Sequence, residues 1–285
     1  EHARLITYVA DERSELDAGV MHHPQRSVLA SGISIYHDLV NFLAFNGEAI
    51  VTLLRAIRHP ARIRWHEILV EIYNSGFKAL PIVGLLSFLI GVVFAYLGAV
   101  QLKLYGANIY IADMIGYAML RELAPLLAAI LVCGRTGSAY TAQIGTMKVR
   151  EEVAALETIG IPPMDLLVLP KLIALIIVMP LISVYADILS VFGGMVMSYV
   201  ELGLSFEAFL DRLKEAISYS TFMIGIGKTP VFAAIIAVVG CYQGFKVAGS
   251  AESVGRHTTI SVVQSIFLVI VTDALFSIVF SLMGI

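Results

Sequence analysis

Between residue 79 and its C-terminal end the chain runs apolar five times, each time for twenty residues or more: residues 79–102, 109–134, 166–200, 222–245 and 260–285. A helix rises 1.5 Å per residue, so about 20 such residues cross the hydrocarbon core of a bilayer. Lipid offers no partner for backbone N–H and C=O groups, so a segment that crosses must satisfy its own, and continuous runs like these do so as helices. Charged residues make up 14% of the chain, against about 25% in a soluble domain. The mean hydropathy is +0.85. The expectation is an all-α polytopic membrane protein with an N-terminal interfacial helix and about five transmembrane helices.

The N-terminal end reads differently. Residues 1–34 are polar, charged and broken by Gly and Pro, which suggests a tail or linker ahead of a membrane domain spanning 35–285. The first residue is Glu rather than Met, as expected of a processed or truncated product of a longer chain. His22 and His23 are adjacent, which does not suit chelation from one helix face, so both are read as solvated. From residue 35 to 57 a stripe of Ile35, Leu39, Phe42, Leu43, Ile50, Leu54 and Ile57 alternates with Asp38, Asn41, Glu48 and Arg55. That pattern is more polar than a span and suits a helix in the membrane interface. Cys133 and Cys241 lie in or beside apolar runs and read as small buried hydrophobes, with no metal or redox spacing. A net charge of −3 gives no reason to expect nucleic acid.

Charge also orients the spans. Arg58, Arg62, Arg64, Arg135, Lys148, Arg150, Lys246 and Arg256 fall on one side, while Lys103, Arg212 and Lys214 fall on the other. Eight against three places the first set in the cytoplasm. The N-terminus is then cytoplasmic, and the amphipathic segment 204–217 lies outside. No internal repeat is visible, so an inverted-repeat transporter has little support.

Four motifs carry chemistry. The first is "KVREEVAALETIGIPP", residues 148–163. Val149, Val153 and Leu156 share one helix face, Lys148, Arg150, Glu151, Glu152 and Glu157 cover the rest, and Gly160 with Pro162 and Pro163 stops the helix. The expectation is a cytoplasmic helix of about three turns over 148–159, between the second and third spans. It either rests on headgroups or docks in a protein groove, and its three acids fit an anionic leaflet poorly. The second motif holds Gly134, Gly137, Ser138, Ala139, Ala142 and Gly145, small residues that let helices approach closely. Arg135 among them either snorkels or clamps a phosphate or carboxylate.

The third motif, "LRELAP", puts Arg121 and Glu122 mid-span, where ionisable groups are expensive and default to a functional reading. As neighbours they point about 100° apart on a helix and need not pair. Asp187 and Asp273 are single acids in spans, read as structural hydrogen-bonding groups. The fourth, "GIGKTP" (residues 225–230), lacks the glycine five positions ahead that a phosphate-binding loop requires, and Lys228 reads as a snorkelling residue at the membrane edge. On these residues alone, a stand-alone secondary transporter or channel using Asp113, Arg121, Glu122, Asp187 and Asp273 remains open beside a partnered transporter. A lipid-modifying enzyme lacks a nucleophile, base or metal set.

The motifs R-E-L-x-P, G-R-x-G-S, I-G-T-M and E-x-V-x-A-L-E, densest over 121–174, closely resemble the MlaE/YrbE permease family, with a match over about residues 66–285. The resemblance implies the permease domain of an ABC transporter that moves phospholipid or a related lipid between the inner membrane and the periplasm. Its partners would be a second copy of itself, a cytoplasmic ABC ATPase dimer and a periplasmic MCE-domain protein. ATP would be used by the ATPase, with no cofactor held by this chain. It implies that residues 148–159 are the coupling helix and that Arg121 and Glu122 lie close to a lipid pocket at the dimer axis. Residues 1–34 would then be the remnant of, or linker from, a STAS-like domain.

Overall fold

The computed structural model describes residues 28–59 and 64–283, with side chains from Tyr36 onward. The polar tail with His22 and His23, and Arg62, lie outside the described residues. The described residues are helical, without a strand among them. The chain divides into two units between Phe45 and Asn46, and the larger, from Asn46 on, holds the helical bundle.

In chain order the helices are α1 (Val28–Arg58), α2 (Trp65–Ser75), α3 (Leu80–Leu104), α4 (Asn108–Val149), α5 (Glu152–Thr158), α6 (Met164–Leu202), α7 (Phe206–Ala216), α8 (Tyr219–Lys246) and α9 (Ala251–Leu282). Length and composition admit six membrane spans among the described residues. Five coincide with the five apolar stretches of the sequence, the last as far as Leu282, and the addition is Tyr36–Arg58 within α1. There Ile50, Leu54 and Ile57 of the apolar stripe are exposed, while Ala49, Thr52 and Ala56 are buried. Residues 79–102 lie almost wholly in α3, whose 25 residues reach about 38 Å, enough to cross. Residues 166–200 lie in one continuous helix, α6, with Pro180 inside it. The second stretch runs on past residue 134 to Val149.

Local chemistry sets the ends. Pro81 occupies the first turn of α3, where the missing N–H has no intrahelical partner to lose. Ser205, Ser218 and Ser250 each accept a hydrogen bond from the backbone N–H three residues on, satisfying one open donor of α7, α8 and α9.

Close crossings hold the bundle. A Cβ at Gly91 would meet the backbone of Ser190, and one at Gly193 the backbone of Phe88, so α3 and α6 cross closely, and contacts of Gly76 with Val178 at one end and of Lys103 with the Glu201 carbonyl at the other show that they run parallel. A Cβ at Gly225 would strike the carbonyl oxygen of Leu120, and one at Gly240 that of Gly137, which fixes α8 against α4. In lipid such packing, rather than exclusion of water, supplies the helix association. Of the small residues singled out in the sequence, Gly137 and Gly145 are tightly packed, whereas nothing lies within 4 Å of a Cβ at Gly134.

Candidate functional site

Arg121 and Glu122 sit in a widened turn, Met119–Leu123, where α4 adopts π-helical geometry. Such turns are rare and recur at functional sites. The Arg121 guanidinium donates through Nη1 to the Tyr117 hydroxyl at 2.7 Å, and its Nε lies 3.5 Å from Glu122 Oε1. The two neighbours therefore do pair, which the 100° step of a regular α-helix gave no reason to expect.

Lys228 completes the arrangement. Its ammonium donates to Glu122 Oε2 at 2.6 Å and to Asp273 Oδ1 at 2.7 Å, and Ser277 donates to Glu122 Oε1 at 3.0 Å. Arg121, Glu122, Lys228 and Asp273 thus form a four-charge cluster with no net charge, tying α4 to α8 and α9. The reading of Lys228 as a snorkelling residue at the membrane edge is corrected: its side chain is 0% exposed. A lysine held by two carboxylates has no need to reach water, because its counter-charges are supplied inside the bundle. Asp273 is a paired acid, in keeping with a structural role. The cluster is not sealed, since the Glu122 side chain is 31% exposed while that of Arg121 is 9%. Glu122 is the most exposed member of the cluster.

The other intramembrane acids go elsewhere. Asp113 is bound by Arg212 in a two-pronged pair of 2.7 and 2.6 Å, which docks α7 on the start of α4 together with buried Phe209. Asp187 is 1% exposed and neither carboxylate oxygen has a hydrogen-bond partner, so the expected hydrogen bonding of Asp187 is not found. The five acids and bases proposed for an ion path are therefore not assembled into one: three join the cluster, and Asp113 has its own partner.

The segment 148–163 folds as two pieces rather than one three-turn helix. Lys148 and Val149 end α4, and Lys148 donates to the carbonyl of Phe245. Arg150 and Glu151 form a turn in which Glu151 takes φ 59°, a left-handed conformation that interrupts the helix. Glu152, Val153, Leu156 and Glu157 lie in α5, which spans 7 residues. Val153 is buried and Leu156 half-buried, so the apolar stripe seats α5 on its own chain and does not lie free. Arg150, Glu151, Glu152 and Glu157 are exposed, with Arg150 and Glu152 3.7 Å apart. The glycine stop is found as read: Gly160 has φ 77°, its N–H bonds the Glu157 carbonyl at 3.0 Å, and that of Ile161 bonds the Leu156 carbonyl at 2.9 Å. These two bonds satisfy the open carbonyls of the last turn.

Sequence reasoning found half of the cluster. The signal for the rest was charge balance, since a lone Arg–Glu pair leaves Asp273 and Lys228 to be neutralised within other spans. It also missed a buried pair at the α5 end of the bundle, where Lys171 on α6 donates to Glu71 of α2 at 2.5 Å and to Gln143 at 2.8 Å.

Comparison with known proteins agrees with this architecture. The family described as permease MlaE matches residues 68–279. A probable ABC transporter permease of Rickettsia bellii is 32% identical over 243 residues, which is 85% of this chain and 92% of that protein. A probable ABC transporter permease of Synechocystis is 29% identical over 84% of this chain and 89% of its own length. The chloroplastic protein trigalactosyldiacylglycerol 1 of Arabidopsis thaliana is 29% identical over 81% of this chain and 65% of its own. An ABC permease is the membrane-embedded, non-catalytic subunit and works with a partner ATPase. With six helices fit to span and residues 68–279 matched, this chain is a multi-pass membrane protein belonging to the MlaE family of ABC transporter permeases.

Proposed function

We propose that the substrate is a phospholipid or related lipid, moved between the inner membrane and the periplasm. Two copies of this chain would work with a cytoplasmic dimer of ABC ATPases and a periplasmic MCE-domain protein. The observation that carries the reading is the neutral four-charge cluster inside a membrane-spanning bundle, with Glu122 reaching its surface. A charged headgroup can exchange hydrogen bonds with such a cluster without stranding an uncompensated charge in lipid. A relative named for a galactolipid supports the lipid class. Arg121 and Glu122 would meet the headgroup, and apolar side chains of α3, α4 and α9 would line the cavity for the chains.

Coupling falls to the α5 end. Lys148, Arg150, Glu151, Glu152, Val153, Leu156 and Glu157 form the α5 knob: Lys148 and Val153 anchor it, and its exposed charges would meet an ATPase groove. Replacing Glu151, Glu152 and Glu157 together by Lys is expected to abolish both co-purification of the ATPase and lipid-stimulated ATP hydrolysis. Retention of both would remove α5 from the coupling role. Arg121→Ala and Glu122→Ala are expected to leave the ATPase bound and to stop lipid transfer in reconstituted vesicles, and normal transfer in both would remove the cluster from the substrate path.

A further inference from the structure

Arg135 stands on the border of two compartments that share no residue with the four-charge cluster. One, of about 420 Å³, is polar and lined by Lys78, Glu67, Glu71, Asn74, Thr136 and Gln143. The other, of about 610 Å³, is apolar and lined by Ile82, Val83, Ile130, Leu131 and Ile266. Arg135 lines both.

Their order along the bundle matters. The polar compartment lies at the α5 end, where α2 finishes, α4 approaches its last turns and Lys171 opens α6. The apolar compartment takes the next turn of α3 and the preceding turns of α4. Because α3 runs away from the α5 end and α4 toward it, both steps lead toward the middle of the bundle. A polar chamber at the membrane boundary, continued inward by an apolar one, has the layout of an amphiphile in a leaflet.

The charges specify the head. Glu71 is neutralised by Lys171 at 2.5 Å. Arg135 gives one long bond, 3.4 Å, to the Asn74 carbonyl, and Lys78 gives one of 2.7 Å to Asn74 Oδ1. Among the described residues neither cation has an ion-pair partner. Two cations lining one concave chamber offer what a phosphate oxygen accepts. Glu67, without a cation of its own among the described residues, is the acceptor for a headgroup amine.

We propose that these joined compartments form a second lipid site, which takes an amphiphile with its phosphate against Arg135 and Lys78 and an acyl chain along Ile82 and Ile130. The site shares helices α3, α4 and α9 with the proposed substrate cavity but no residue with the four-charge cluster, and its test reads binding alone.

The solubilised protein, with the subunits it carries, is titrated with dioleoyl phosphatidylethanolamine and separately with dioleoylglycerol, and occupancy is read by native mass spectrometry. Arg135→Gln and Lys78→Gln are each expected to weaken the phospholipid about tenfold, the scale of one charge-assisted hydrogen bond, and to leave dioleoylglycerol unchanged. Ile130→Trp is expected to weaken both, and Glu207→Gln, an exposed change on α7 away from both lipid sites, neither. Lys78 is exposed on its chamber wall, so its variant reports even if the Arg135 variant does not fold. Unchanged phospholipid binding in the Lys78 variant overturns the site, as does equal loss of both ligands, which would mean general damage. Displacement of the lipid by millimolar inorganic phosphate would show a free-anion site and overturn it too. A diazirine-bearing phospholipid should label residues 130–135 and lose that label in Lys78→Gln. Label that persists there marks only lipid surrounding the protein, and absence of label in the wild type, as when a second copy covers the opening, likewise refutes the site.

Discussion

Lys228 shows how one side chain changes meaning when its surroundings are known. In the sequence it is a lysine ahead of Pro230, near the start of an apolar run. In the fold it is the centre of the cluster, completely buried between Glu122 and Asp273. Removing one member of a buried pair leaves charge without compensation and costs roughly 3–5 kcal/mol. Lys228→Met is therefore expected to lower the thermal stability of the solubilised protein strongly, and adding Asp273→Asn to recover part of the loss. A Lys228→Met protein that unfolds at the wild-type temperature would show that the cluster does not hold the bundle. Arg121 and Glu122 were legible because mid-span charges stand out in an apolar background. Lys228 was not, since a lysine near a span end has a cheaper explanation in snorkelling, and only the approach of α4 and α9 removes it.

Helices were legible in existence and poorly legible in where they break. Apolar length marked the spans, and Gly160 with Pro162 and Pro163 marked the end of α5. The widened turn at Met119–Leu123 and the left-handed Glu151 carry no comparable signal, because each is imposed by neighbours rather than by local propensity. Glycines divide in the same way. Gly225 and Gly227 are two residues apart on α8 and look alike in sequence, yet a Cβ at Gly225 meets the Leu120 carbonyl while one at Gly227 meets nothing within 4 Å. Gly225→Ala is expected to destabilise by about 1–3 kcal/mol through overpacking. Gly227→Ala should instead stabilise by up to about 1 kcal/mol through helix propensity. Equal effects in a thermal-shift comparison would contradict the close crossing of α4 and α8.

At the scale of the molecule, the fold separates two ends. The Asp113–Arg212 pair fixes α7 at the beginning of α4, and α5 follows the end of α4, so α5 and α7 lie at opposite ends of that helix. From the Lys and Arg bias the α5 end is expected to face the cytoplasm. Cysteines introduced at Ala154 and Glu207, both exposed, test this directly, since native Cys133 and Cys241 are buried and contribute little background. A membrane-impermeant maleimide should label Glu207→Cys from outside, and Ala154→Cys only after permeabilisation. The reverse pattern would invert the orientation and with it the ATPase-facing role of α5.

Solvent, secondary structure and family were all written in the amino-acid order. Apolar runs of span length have one stable form in lipid, and dense short motifs identify relatives. Arg121 and Glu122 announced themselves there too, because charge in lipid demands a reason. Helix packing alone settled how charges are partnered: Lys228 and Asp273 with Glu122, Arg212 with Asp113, Lys171 with Glu71, and Arg135 and Lys78 facing a chamber without a carboxylate partner among the described residues. Pairing depends on which helix faces cross and at what depth, and those are set by contacts between residues 45 to 155 positions apart that no local pattern encodes.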